Sequence, residues 1–237
     1  QLRETTDMEN EAVQGKRKRN YIIAIAAFLI LVVAIPVVIY MKERPGPDYY
    51  LKFQTQGRGY VLKGEWEKAA AEFEKAAKYR PDRFETHNDL GMTYLKLQKI
   101  ERAVEELKEA VRINPGNINI RYSLGAAYQR MGRLEEALKE YHIVVKARPN
   151  SPEVFNNIGL IQSDAGDYDK AVKALKHSIG IKPDYYPAYI NLGKVYEAQG
   201  EMESAKREYQ KVQKMASKKP ETISYARIAE KRLANLK

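Results

Sequence analysis

His87, His142 and His177 are the three histidines of this 237-residue chain and the side chains best suited to hold a metal or carry a proton at neutral pH. No two of them stand at the spacing with which ligands close on one zinc ion. Cysteine is absent, which removes thiolate ligands, disulfides and thiol nucleophiles together. The phosphate-cradling pattern G-x-x-x-x-G-K-[ST], the dinucleotide pattern G-x-G-x-x-G and the nucleophile turn G-x-S-x-G do not occur. Acidic residues are plentiful, but runs such as Glu101, Glu105 and Glu109 recur every four residues, as on a solvated helix face. These residue types and spacings imply no enzyme, no cofactor and no small-molecule substrate. The formal net charge of +10 raises nucleic acid as a partner. Its distribution argues against that reading, because residues 206–237 alone carry +7 and no nucleic-acid motif accompanies them.

What does recur is an interval. Gly57, Gly91, Gly125, Gly159 and Gly193 stand 34 residues apart, as do Ala69, Ala103, Ala137, Ala171 and Ala205, and Pro81, Pro115, Pro149 and Pro183. Three residue types sharing one period mark a stacked repeat array. Within the third unit, Leu124, Gly125 and Tyr128 belong to a first helix, A, that Gly132 ends. Leu134, Ala137, Leu138 and Tyr141 give a second helix, B, an apolar stripe at i, i+3, i+4 and i+7. Gly125 and Ala137 are expected to be small because the two backbones cross there. Gly64, Gly132, Gly166 and Gly200 suit the left-handed residue that closes a helix. The prolines stop helix B, and Ser151-Pro152-Glu153 reads as an N-cap followed by proline at the first helical position.

These small-residue, tyrosine and proline positions resemble the tetratricopeptide repeat, a two-helix unit of 34 residues that stacks into a superhelix. The resemblance covers residues 50–219 as five units: 50–83, 84–117, 118–151, 152–185 and 186–219. Departures are local. Gln162 replaces the helix A tyrosine found at 60, 94, 128 and 196, the fourth unit also carries Ser178 and Gly180, and Gln98 replaces a turn glycine. The fourth unit is expected to pack less tightly than the others. Residues 220–237 would form a capping helix in which Ile223, Ala226, Ile228 and Leu233 cover the open end of the stack.

Ahead of the repeats, residues 1–20 read as a polar tail ending in Lys16-Arg17-Lys18-Arg19. Residues 21–41 contain no charge and would span about 31 Å as a helix, enough to cross the hydrocarbon layer. A cleaved signal peptide is the main rival, but its apolar core is normally shorter and no small-x-small site follows Tyr40. The basic run before the span places the tail in the cytoplasm and the repeats outside it, most simply at a bacterial inner membrane with the repeats periplasmic. Residues 42–49, with Pro45-Gly46-Pro47, form a short linker. The expected fold class is all-α: a transmembrane helix, a five-repeat solenoid and a cap.

In such arrays the resemblance implies an inner surface lined by helix A residues, here Gln54, Arg58, Asn88, Met92, Lys96, Asn119, Tyr122, Arg130, Asn156, Leu160 and Lys194. Amides, an aromatic and scattered cations suit an extended peptide. The lysine and asparagine set with which cochaperone members of the family hold a C-terminal carboxylate is not reproduced. A second, basic surface is expected from Lys214, Lys218, Lys219, Arg227, Lys231 and Arg232, acting through long-range attraction. The chain therefore reads as a membrane-anchored scaffold whose partners are other proteins of an envelope complex, with the bilayer contacted through 21–41. The alternative is a structural accessory subunit of a respiratory or electron-transfer complex.

Overall fold

The computed structural model describes Val32, residues 47–216 and residues 220–236. The tail over 1–20, the apolar span over 21–41 and residues 42–46 of the linker fall outside these residues, apart from Val32. Among the described residues no helix is long and apolar enough to cross a membrane. Residues Phe53–Lys237 form one unit.

Eleven α-helices and no strand occur among the described residues. In chain order they are α1 (Pro47–Lys63), α2 (Trp66–Tyr79), α3 (Phe84–Lys96), α4 (Ile100–Ile113), α5 (Ile118–Arg130), α6 (Leu134–Ala147), α7 (Pro152–Asp164), α8 (Tyr168–Ile181), α9 (Tyr186–Ala198), α10 (Met202–Ala216) and α11 (Ile223–Asn235). Odd-numbered helices up to α9 are the A helices of successive repeats and even-numbered ones the B helices. This is the all-α repeat solenoid that the 34-residue period predicts.

Each A helix ends in the same way. The amide after the turn residue bonds back to a carbonyl five residues earlier: Glu65 to Tyr60, Lys99 to Tyr94, Arg133 to Tyr128, Asp167 to Gln162 and Glu201 to Tyr196. Such a closure needs a left-handed residue between the helix and its extended exit, and Gly64, Gly132, Gly166 and Gly200 supply it with φ of +73° to +80°. In the second repeat Gln98 adopts φ +59° although it has a side chain. Its side-chain oxygen accepts a hydrogen bond from Arg130 Nη2 at 2.5 Å, an attachment glycine could not make.

The helix A glycines are small for a reason other than the expected crossing of two backbones. A Cβ on Gly57, Gly91, Gly125, Gly159 or Gly193 would lie 2.5–2.9 Å from the bulky residue of the partner helix, namely Phe73, Leu107, Tyr141, Leu175 and Tyr209 respectively. Those five are themselves 34 residues apart and almost fully buried. Glycine thus makes room for a large side chain rather than for a chain crossing, although the carbonyls of Ala103 and Ala171 also come within 3.2 Å of the Cβ positions at Gly91 and Gly159. The helix B alanines at 69, 103, 137, 171 and 205 are all 0% exposed.

The fourth repeat shows its departures. Ser178 is buried and donates to the Pro152 carbonyl at 2.8 Å. The side-chain oxygen of Gln162 is buried with no hydrogen-bond partner among the described residues, whereas the equivalent Tyr94 donates to Glu74 at 2.5 Å. At the far end Pro220–Thr222 form a 3₁₀ turn, after which α11 packs on α9 and α10 through Ala226, Ala229, Tyr225, Leu233 and Leu236. Ile223 and Ile228, expected to cover the stack, are instead 45% and 43% exposed. Ile223 is the first residue of the helix, and Ile228 lies about 100° round it from Ala229.

Gly125→Leu forces a branched side chain into the Tyr141 ring and should lower stability by about 1–3 kcal/mol. Gly180→Ala, where an added Cβ meets nothing within 4 Å, should raise it by up to about 1 kcal/mol. Thermal or urea unfolding of the two variants against the parent checks both signs.

Candidate protein-binding surface

One register of the A helices faces outward: the residues that follow the buried glycines, Arg58, Met92, Ala126, Leu160 and Lys194. Arg58, Met92 and Lys194 are exposed and Ala126 and Leu160 half-buried. The residue 34 places beyond Lys194 is Ile228 of α11, so the row continues onto the last helix. Its middle positions are apolar, with Arg58 before them and Lys194 after them.

Beside this row the structure finds polar bonds between repeats. Gln54 donates to Asp89 at 2.7 Å and accepts from Thr86 at 3.0 Å, while Arg58 Nε reaches the same Asp89 oxygen at 2.9 Å. Asn157 donates to the Tyr122 hydroxyl at 3.2 Å and to the Tyr141 hydroxyl at 3.1 Å. Asn191 donates to Asn156 at 2.9 Å. The pairs 54–89, 122–157 and 156–191 are each separated by 35 residues, one repeat plus one position. A helix A side chain thereby bonds the next register position on the following A helix.

The candidate residues separate accordingly. Gln54 and Asn156 are each 5% exposed and bonded to the neighbouring repeat, so they hold the stack together. Arg130 serves the stack too: Nη1 donates to the Leu95 carbonyl at 3.0 Å, satisfying an end-of-helix acceptor of α3. Tyr122 is half-buried, tilted against Tyr141 at 5.7 Å between ring centres. Asn119 accepts from Arg148 at 2.7 Å. Lys96 is exposed and lies over the Trp66 ring at 5.8 Å. Asn88 is half-buried. Asn88, Met92, Lys96, Leu160 and Lys194 present their side chains without engagement by another repeat's A helix.

Asn119 and Tyr122 meet in a depression of about 240 Å³ that is also lined by Val144, Arg148, Ser151, Glu153 and Val154. It lies at the junction of repeats three and four, where the end of α6 approaches the start of α7. A guanidinium, a carboxylate and a phenol around an apolar floor can receive one polar side chain or a kinked stretch of main chain; nothing in this set activates a nucleophile. Another depression, of about 340 Å³, is lined by Gly166, Asp167, Tyr168, Asp169, Lys170 and Gln199 at the fourth-repeat turn. It includes none of the helix A candidates. Among the described residues, no cluster of three or more His, Asp and Glu side chains could hold a metal ion.

Of the basic residues near the C-terminus, Lys214, Arg227 and Lys231 are exposed. Arg232 is held by Glu197 at 3.2 Å, and Glu197 also accepts from the Tyr209 hydroxyl at 2.6 Å. Arg232 is three repeats after Arg130 and, like it, reaches back 35 residues. Lys218 and Lys219 lie outside the described residues. Sequence reasoning missed Asp89, Asn157 and Asn191; a polar residue recurs at 55, 89, 123, 157 and 191, and that recurrence was the available signal.

Three family models match: one described as TPR repeat over residues 57–98 and 91–132, and two described as tetratricopeptide repeat over 116–184 and 163–221. The chain therefore carries tetratricopeptide repeats, a fold that indicates protein partners in general. The crystal structure of MamA protein is similar, with 26% identity, 69% of this chain and 90% of that one covered and a TM-score of 0.63. The thermophilic TPR protein TTC0263 of Thermus thermophilus has 25% identity over 76% of this chain and 98% of its own, with a TM-score of 0.59. MamA from Desulfovibrio magneticus RS-1 reaches a TM-score of 0.69 at 18% identity, covering 74% and 99%, which is a likeness of fold. No curated protein sequence matches the chain.

Truncating Asn156 to alanine leaves the Asn191 amide without its acceptor in a buried site and should cost about 1–3 kcal/mol. A double-mutant cycle with Asn191→Ala measures the coupling. A cost near zero for the single change would show that the bond does not tie repeats four and five.

Proposed function

We infer that this chain is a membrane-anchored scaffold that organises other proteins of an envelope complex, binding an extended segment along its A helices. The observation that carries this reading is the outward row Arg58, Met92, Ala126, Leu160 and Lys194, with Lys96 and Asn88 alongside. Arg58 of the row and its neighbours Gln54, Asp89, Asn156 and Asn191 are engaged in bonds between repeats, which hold the row in place and leave Met92, Leu160 and Lys194 for a partner. Spacing of one or two such side chains per repeat matches a segment running along the stack. The exposed cations favour an acidic segment.

The anchor rests on the charge-free stretch 21–41 and the side of the membrane on Lys16-Arg17-Lys18-Arg19 before it. The repeats would then act outside the cytoplasm, close to the bilayer. Lys214, Arg227 and Lys231 would add a second contact, to an acidic partner or anionic lipid, that salt screens over about 8–10 Å.

Glutamate at the exposed Met92 should change stability by less than about 0.5 kcal/mol and abolish crosslinking from a photoreactive residue placed at Lys194. Unchanged crosslinked products would remove the A-helix row from the interface. Protease added to intact spheroplasts should digest the repeats and spare the tail, whereas protected repeats would reverse the orientation.

A further inference from the structure

The residue six places after each repeat-ending proline occupies one register: His87, Arg121, Phe155 and Tyr189 after Pro81, Pro115, Pro149 and Pro183. Arg121 on α5 makes two bonds there. Its Nε donates to the Pro115 carbonyl at 2.8 Å and its Nη1 to Glu140 of α6 at 2.8 Å. His87 on α3 has the same two partners one repeat earlier, with Nε2 3.0 Å from the Pro81 carbonyl and Nδ1 2.7 Å from Glu106 of α4. Tyr189 keeps the carbonyl bond alone, donating to Pro183 at 3.0 Å. Phe155 makes neither and packs edge-on against His177 at 4.2 Å. Each polar member of this register fastens an A helix to the end of the preceding repeat; Arg121 and His87 also fasten it to their own helix B.

Arg121 carries its charge at every pH that a folded chain meets. His87 does not. Both of its partners are acceptors, a peptide carbonyl and a carboxylate, and a neutral imidazole owns a single N–H. Only the protonated ring donates to both. We propose that His87 is a proton-controlled joint between the first and second repeats, closed when the ring is protonated and half-released when it is neutral.

The surroundings favour the charged form. Glu106 and Glu109 approach from α4, and Glu109 is itself held by Arg112 at 2.6 Å. On the loop that carries Pro81, Arg80 pairs with Asp82 at 2.8 Å, and Arg83 lies 3.5 Å from Glu85 of α3. The hydrogen bond to Glu106 raises the ring's pKa above the ordinary histidine value against the opposing effect of burial, with the Pro81 carbonyl and the charges of Glu106 and Glu109 adding to the rise. A raised folded-state pKa contributes stability that is complete below the unfolded value of 6.5 and is lost as pH climbs through the folded value. The joint therefore loosens as pH climbs past the ordinary histidine value.

α3 also carries Asn88, Asp89 and Met92, and Asp89 is the anchor for Gln54 and Arg58 of the first repeat. Releasing the proline end of α3 would alter how the first two repeats align their part of the A-helix row. Because each repeat touches only its neighbours, the Arg121 junction should stay closed.

The test uses the full chain. Ring resonances of the three histidines are followed from pH 5 to 9 by NMR, and amide exchange, corrected for intrinsic rate, is compared at pH 6 and pH 9 in the parent, His87→Arg and His87→Phe. The His87 ring should titrate above the free-histidine value. Parent protection over residues 66–113 should fall about tenfold between the two pH values for each tenfold by which folding raises the ring's proton affinity. His87→Arg should hold its pH 6 protection throughout, and His87→Phe should be low at both. Titration at or below the free value, which can be read even if a variant fails to fold, overturns the proposal. So does parallel loss of protection in the parent and His87→Arg, or full protection in His87→Phe at pH 6.

Discussion

The fold depends on one steric fit repeated five times: an A-helix glycine receives the large side chain that helix B sends across at the same register. Phe73, Leu107, Tyr141, Leu175 and Tyr209 differ in shape, yet each would lie within 3 Å of a Cβ on its glycine partner. Because that space is filled by Phe, Leu or Tyr without displacing the chain, the helix pair tolerates exchange of the bulky residue but not of the glycine. With the pair set at this distance, the helix B alanines are driven to complete burial and the hydrophobic core runs from one repeat into the next. The solenoid is therefore many copies of a local fit and has no single central core.

Stacking adds directional bonds to this apolar packing. Between repeats the structure places hydrogen bonds and ion pairs, many of them part-buried: Gln54 with Asp89, Tyr122 with Asn157, Asn156 with Asn191, Arg232 with Glu197. In a partly dry site such bonds are directional and costly to leave unmade. They set the angle and register of one repeat on the next, which apolar contact alone does not. Arg130 shows the economy of the arrangement. It satisfies the end of α3 through Leu95 and holds Gln98, the one non-glycine residue among the turn positions that takes a left-handed conformation.

These bonds decide what is left for a partner. An A-helix side chain that points along the stack is used by the neighbouring repeat; of those that follow a buried glycine, Arg58 is also held, by Asp89, while Met92 and Lys194 are exposed. By subtraction, Met92, Leu160, Lys96 and Lys194 remain for the proposed binding row. Solved chains that match this fold number 474, so the fold itself cannot choose a partner.

From the amino-acid sequence came the repeat, its period, the two helices per unit and the glycine turns, because each depends on contacts within about one repeat length and leaves a fixed residue type at a fixed interval. The charge-free stretch before the repeats is likewise a property of composition alone. The resemblance to the tetratricopeptide repeat implied a binding surface on the A helices. The tertiary structure decided which of the polar A-helix residues are free. Gln54 and Asn156 look like Asn88 in the sequence, yet they are bonded across a repeat boundary. The structure also reassigned the glycines from a backbone crossing to the reception of a side chain, turned Ile223 and Ile228 outward, and matched His87 to Arg121 through shared partners. The physical reason is common to all four: a hydrogen bond or a clash between neighbouring helices depends on their separation and rotation to a fraction of an ångström, and periodicity specifies which face of a helix is buried but not what that face meets.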